Sequence, residues 1–197
     1  MQSRAPLILA SSSPRRLALL RQVGVNPDRI AAPEVDETPS ARELPRAHVL
    51  RLAEAKASDV ARRPEAAGAF VLAADTVVAC GRRILGKADD EAAAERCLRL
   101  ISGRRHRVYT AVAVVAPDGR RALRVVLTVV RFKRLHGRDI AGYLASGEWR
   151  GKAGGYAIQG RAEAFILSIN GSYSNVVGLP LATALDLLGG LGWRSEP

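Results

Sequence analysis

Leu7-Ile8-Leu9-Ala10-Ser11-Ser12-Ser13-Pro14-Arg15-Arg16 is the stretch on which the fold class turns. The apolar run Leu7 to Ala10 reads as a short buried strand. Ser13 then suits a helix N-cap and Pro14 a first helical residue. Leu17, Leu20 and Val23 recur at helical spacing, and Gly24 closes the helix. The unit is strand, hydroxyl-rich turn, helix.

The same alternation continues along the chain. Ile30 to Ala32 reads as a second short strand and Pro33 to Pro39 as an acidic loop. Arg46 to Ala61 sets Val49, Leu50, Ala53, Ala57 and Val60 on one side of a helix. Ala69 to Ala74 reads as a buried strand ending at Asp75-Thr76, followed by a hairpin of Val77 to Ala79 and Ile84-Leu85 around Gly81. A helix from Asp90 to Ile101 stops at Gly103. Two long β-rich runs, His106 to Ala116 and Arg121 to Phe132, flank Pro117-Asp118-Gly119, where Pro presets φ and Gly accepts a positive one. Asp139 to Ser146 reads as a short helix, Gly151 to Gly155 as a glycine-rich loop and Phe165 to Ile169 as a strand. Asn175 is expected to cap a final helix through Leu188, with Pro180 early in it. Interleaved strands and helices without repeat or linker indicate one α/β or mixed domain over residues 1–197.

Composition narrows the function classes. The 197 residues are 48% apolar and 25% charged, which excludes wholesale disorder, collagen and coiled-coil rod. Aromatics are only 5%, so Ala, Val and Leu must build the core. Lys plus Arg is 30 against 19 for Asp plus Glu, a net charge of +11. That excess suits a polyanion, whether nucleic acid, an acidic membrane face or a nucleoside triphosphate; an arginine-rich composition of the genome would produce it as well. Cys80 and Cys97 have no metal-ligand spacing and read as free thiols of a reducing cytoplasm. The apolar run after Arg4 stops at Ser11, short of the ~7–15 residues of a signal peptide's apolar region. No run approaches the ~18 residues of a membrane span. A soluble, cytoplasmic protein is expected.

Several stretches carry chemistry. A strand feeding a helix N-terminus presents unpaired N–H groups and the positive end of the helix dipole. With the hydroxyls of Ser11 and Ser13 and the side chains of Arg15 and Arg16, the turn makes a phosphate cradle, or else an ordinary Ser-Pro cap with solvated arginines. The glycine spacing and the Gly-Lys-Ser/Thr ending of a P-loop are absent. Asp75-Thr76, at the expected end of a strand, is placed to hold a metal or activate water, or to close a turn on its own backbone. Glu34, Asp36 and Glu37 put three carboxylates in four residues, suited to a hard cation such as Mg²⁺ or simply solvated. Lys56 and Lys87 are candidate phosphate charges. Gly151 to Gly160 holds four glycines in ten residues, enough for backbone to approach a ligand closely. Gln159, one donor and one acceptor, complements the N3–H and O4 of thymine or uracil. No Ser-His-Asp or Cys-His arrangement is visible, and His48, His106 and His136 read as structural or surface residues.

The ordered set of blocks resembles the Maf family of nucleoside triphosphate pyrophosphatases. It comprises Leu9 to Arg16, Val35-Asp36-Glu37-Thr38, Arg51-Leu52-Ala53 with Lys56, Ala74-Asp75-Thr76-Val77-Val78 and Leu85-Gly86-Lys87, and continues through Ile101-Ser102-Gly103. It runs on through Ala145-Ser146-Gly147-Glu148, Lys152-Ala153-Gly154-Gly155-Tyr156, Ile158-Gln159-Gly160 and Gly178-Leu179-Pro180. The resemblance implies a two-lobed mixed sheet with flanking helices and a central cleft, similar to inosine triphosphate pyrophosphatase. It implies hydrolysis between the α and β phosphates with a divalent cation, Mg²⁺ or Mn²⁺. The Lys-Ala-Gly-Gly-Tyr and Ile-Gln-Gly blocks are similar to the branch that hydrolyses dTTP and UTP. On matching positions Asp75 takes the general-base role, with metal ligation as the alternative. Arg15, Thr76 and Gln159 take specificity positions, and Glu37, Lys56 and Lys87 metal- or phosphate-contacting ones. Ala88 departs from the family, which usually has Pro there. The expected partner is a nucleoside triphosphate rather than a specific nucleic acid or a membrane, with room for a homodimer. The competing class is a nucleic-acid-binding or division-regulating module without catalysis. Sparse aromatics and the lack of a helix-turn-helix signal count against it.

Overall fold

Strand β3 (Phe70–Cys80) is the spine of the computed structural model, which describes residues 5–194. Arg4 lies outside the described residues. Strand β1 (Leu7–Ala10) runs parallel to β3, and β2 (Arg29–Ile30) parallel to β1. On the other side of β3, the long strands β5 (Arg105–Val115) and β6 (Arg121–Phe132) and then β7 (Ile166–Asn170) add antiparallel. The order is β2-β1-β3-β5-β6-β7, with β4 (Arg83–Leu85) also paired antiparallel to β3. The sheet is therefore mixed, as the resemblance implies, and it has seven strands.

Side-chain alternation divides the core. Leu72 and Ala74 of β3 face one apolar cluster, filled by Leu19 and Leu20 of α1 (Pro14–Gln22) and by Leu187 and Leu188 of α6 (Leu181–Gly190). Val71, Ala73 and Val77 face the opposite cluster, filled by Val49, Ala53, Ala57 and Val60 of α2 (Pro45–Ala61). Alanine at this seam brings the helix close to the sheet. A third cluster, the second lobe, begins at Val78 and takes in α3 (Glu91–Ile101), α4 (Gly137–Ala145), Phe132, Trp149 and Tyr156. No helix of the described residues is long and apolar enough to cross a membrane.

Four expectations need correction. The strand ending at Asp75-Thr76 and the first arm of the Gly81 hairpin are one strand, because β5 pairs without interruption from Val71↔Val115 to Ala79↔Arg107. A polar pair in an apolar run looked like an end only because pairing with β5 is non-local. The final helix is two: α5 (Tyr173–Val177) and α6, separated at Gly178-Leu179-Pro180. Pro180 lacks the N–H that a continuous helix would need there. Ser172 caps α5 by accepting from Asn175 N, while Asn175 itself is buried and bonds Val108 O and Thr128 Oγ1. Ser13 is the residue before α1, but its side chain makes no capping bond.

His106 is a core residue, the structural of the two roles that the sequence left open. It is 1% exposed, with Nε2 2.7 Å from Tyr156 Oη and its ring edge-on to Phe132 and Tyr156. Burial lowers its pKa from 6.5 to about 4. Between those values the unfolded chain carries a proton that the native protein does not. The native advantage is whole above about pH 6.5 and declines toward pH 4, by at most about 1.4 kcal/mol per pH unit. Glu37 and Glu43, both held low, titrate below 4.5, outside the upper part of that window. Urea unfolding at pH 7, 6 and 5 should show the decline. His106→Gln, which keeps a polar partner for Tyr156 but cannot titrate there, should flatten it. Equal slopes in the two proteins would contradict the assignment.

Candidate active site

The cleft is a gap in the sheet. β1 stays paired with β3 only as far as Ala10↔Ala73, and β4 takes over that edge at Val78↔Leu85. Among the described residues no strand pairs with residues 74–77 on that side. A cavity of about 300 Å³ opens there. Ten of the residues singled out in the sequence line it, namely Ser11, Ser13, Arg15, Arg16, Glu37, Lys56, Asp75, Thr76, Lys87 and Gln159, whereas Glu34 and Asp36 of the acidic loop do not.

Charges alternate along one wall. Lys56 Nζ, on the face of α2 turned to the sheet, donates to Asp75 Oδ1 at 2.6 Å and lies 2.6 Å from Glu37 Oε1. Lys87 Nζ reaches Glu37 Oε2 at 2.5 Å from the other side of the cleft. Lys56 and Asp75 are each 5% exposed, while Glu37 and Lys87 are open to solvent. Burial alone would raise the Glu37 pKa, but hydrogen bonds from Lys56 and Lys87 outweigh it and hold the carboxyl at about 2. Asp75 Oδ2 receives no hydrogen bond from the described residues and is the free acceptor of the set.

The opposite wall is the Ser11 turn. Ser11 Oγ accepts from Ser13 N and from Arg16 Nη1, both at 3.1 Å, which fixes the turn and points the start of α1 at the cleft. Arg16 is committed to the protein: Nε donates to Gly178 O at 2.9 Å and Nη2 to Thr76 Oγ1 at 3.4 Å. Burial lowers its pKa, opposed by the Asp75 charge. Arg15, half-buried beside it, makes no such bonds with the described residues, so of the two arginines it is the one free to meet an anion. Thr76 Oγ1 sits 2.9 Å from Thr110 Oγ1, which in turn donates to Asn175 O. This bed under Thr76 draws on β5 and α5, and nothing local in the sequence announces it.

The glycine-rich stretch behaves differently from its reading. A Cβ at Gly154, where φ is +69°, would come within 2.8 Å of Val78, and one at Gly160 within 2.1 Å of the Glu148 carboxylate. These glycines admit protein neighbours, not a ligand. Gly154 N donates to Leu85 O and Gly86 O, and Ala88 N to Lys152 O, so the loop is stitched to the Lys87 segment. Ala88 supplies to this stitching an N–H that a proline could not. Lys152 lines the cleft in this loop and was not singled out from the sequence. Gln159 is exposed at the rim, and its amide makes no hydrogen bond with the described residues.

Asp75 and Glu37 are the oxygen donors available to a cation. Among the described residues no group of three or more His, Cys, Asp or Glu is gathered for a metal. Mg²⁺ is commonly held by one or two carboxylates completed by substrate phosphates and water, and this pair with a free Asp75 Oδ2 fits that mode. It does not fit a site closed by protein alone.

A gap in an α/β sheet, walled by cations and a helix N-terminus around two carboxylates, defines a protein that takes a small polyanion. The chain belongs to the family described as Maf-like protein, whose model matches residues 6–191. Among its relatives is a dTTP/UTP pyrophosphatase of Caulobacter vibrioides, 61% identical over 188 residues, covering 95% of this chain and 96% of the relative. Another, of Paramagnetospirillum magneticum, is 60% identical over 189 residues, covering 96% of this chain and 98% of the relative. A third, of Rhodopseudomonas palustris, is 58% identical over 197 residues, covering 98% and 95%. A solved HAM1 protein from Coxiella burnetii overlaps 66% of this chain and 74% of its own at a TM-score of 0.48 and 16% identity.

Proposed function

We propose that this chain is a nucleoside triphosphate pyrophosphatase that converts dTTP and UTP to the monophosphate and pyrophosphate. Full-length relatives named for that activity support the substrate. The observation that carries the chemistry is the buried Asp75, anchored through one oxygen by Lys56 and open to the cleft through the other. Asp75 Oδ2 orients a water for in-line attack on the α-phosphorus and accepts its proton. The P–O bond to the β-phosphate breaks, and pyrophosphate leaves with the bonding electrons. Arg15, Lys56 and Lys87 stabilise the charge that develops on it. Glu37, together with the phosphates, would hold a divalent cation, Mg²⁺ or Mn²⁺, which would supply charge neutralisation, and ligation of that cation is the alternative to the base role for Asp75. The same reading places the protein in the cytoplasm, with Cys80 and Cys97 as unpaired thiols.

Base choice rests with Gln159, whose amide donates to O4 and accepts from N3–H of thymine or uracil. Cytosine reverses both groups. kcat/KM for dTTP, UTP, CTP and GTP with Mg²⁺ is the test: dTTP and UTP should lead, and excess EDTA should abolish turnover until Mg²⁺ or Mn²⁺ is restored. Gln159→Ala should shrink the dTTP-to-CTP ratio by about tenfold, the worth of one hydrogen bond of ~1.4 kcal/mol, while lowering the best rate less. An unchanged ratio would remove Gln159 from base recognition. Full activity in chelator would remove the cation.

A further inference from the structure

Between β2 and α2, residues 31–44 have no regular secondary structure, and Glu37 lies in the middle of this strap. Irregular segments beyond about 12–15 residues are uncommon in compact domains and are often functional. The strap is pinned on both sides of Glu37. Before it, Glu34 N donates to Asp59 Oδ2 at 3.1 Å, and Arg63 Nη2 donates to Ala32 O at 2.9 Å and to Asp59 Oδ2 at 2.7 Å. After it, Arg51 Nη2 donates to Thr38 O at 3.1 Å. Arg51 also grips Glu43 with two bonds of 2.8 Å, one from Nε to Oε1 and one from Nη2 to Oε2. Glu43 Oε2 further accepts from Ser40 N at 3.0 Å and lies 2.8 Å from Nδ1 of the buried His48. Hydrogen bonds from Arg51 and His48 hold the Glu43 carboxyl well below the usual carboxylate range, against the opposing effect of burial.

Arg51, Asp59 and Lys56 all belong to α2, and Arg63 follows its end. Arg51, Asp59 and Arg63 fall on one stripe at multiples of four residues, beside the buried stripe that carries Leu52, Lys56 and Val60. The helix that supplies the ammonium therefore also fixes the distance from which Glu37 meets it. Glu37 itself is open to solvent, so its own ion pair with the exposed Lys87 holds the strap weakly.

We infer that Arg51 is a positioning residue for Glu37, acting through Glu43 and the Thr38 carbonyl to hold the strap where Glu37 bridges Lys56 and Lys87. The inference rests on the role of Glu37 proposed above. Arg51 touches none of the reacting groups, and its bidentate fork has no equivalent in lysine.

A double-mutant cycle on dTTP hydrolysis separates positioning from plain stabilisation. Arg51→Met should lower kcat/KM by about 10- to 100-fold, the scale of a misplaced active-site group. In a Glu37→Gln background the same change should cost less than about twofold, because the group it positions is already disabled. Arg51→Lys, which keeps the charge and the fold, should follow the same pattern with smaller losses, and carries the test if Arg51→Met is poorly folded. Losses that multiply would overturn the inference in favour of a structural staple, and so would an Arg51→Met protein within twofold of wild type. Wild-type activity in Glu37→Gln alone would overturn the role of Glu37, and the inference with it.

Discussion

Asp75→Asn abolishes most turnover: kcat for dTTP falls by about 10²- to 10⁴-fold, the contribution of a positioned acid–base group. KM should change less than kcat, because in the proposed site the phosphates meet Arg15, Lys87 and the start of α1. The amide is nearly isosteric and its oxygen still accepts from Lys56 Nζ, which keeps Glu37 as an ionic partner, so the fold survives. What is lost is a proton acceptor and an anionic oxygen at Oδ2. Steady-state kinetics together with a melting curve test this. A folded variant within a few-fold of wild type would mean that Asp75 serves only to neutralise a buried lysine.

Lys56→Met carries the largest cost in stability. Two carboxylates rely on the Lys56 ammonium, and among the described residues Asp75 has no other cationic partner within ion-pair distance. Removing one member of a buried pair strands the other charge, at a cost of about 3–5 kcal/mol. At roughly 2–4 °C per kcal/mol for a chain of this size, the melting temperature drops by about 10 °C. Lys87→Met breaks a contact with the same Glu37, but Lys87 is largely exposed, so its cost stays within about 1 kcal/mol. Both variants lose activity, yet only Lys56→Met loses much stability. Calorimetry of the two side by side is the check, and equal melting temperatures would contradict the buried-pair account.

The Ser11 turn was legible because its signals are local: an apolar run, a cap residue and a proline in consecutive positions. The Pro117-Asp118-Gly119 turn joins β5 to β6 for the same reason. The cleft was not legible as a gap. It exists because β1 stops opposite Ala73 while β4 starts at Val78, and both facts are pairings with distant segments. Asp75 was therefore expected at a strand end when it lies midway along β3. Resemblance, not spacing, drew Glu37, Lys56 and Lys87 into one site; the structure shows why they cohere, as a run of alternating charges from three segments. The glycines misled because φ and neighbours, not glycine count, decide their use: Gly154 yields to Val78 and Gly160 to Glu148. The Arg51–Glu43 grip went unread because an arginine on a helix and a glutamate before it look like any solvated surface.

The reaction proposed for this site is attack of water on the α-phosphorus of dTTP. Hydrolysis in ¹⁸O-water with Mg²⁺, followed by mass spectrometry of the products, tests it most directly. One pyrophosphate per dTMP is expected, with the solvent oxygen in dTMP and none in pyrophosphate. Orthophosphate with dTDP, or label in the pyrophosphate, would contradict it.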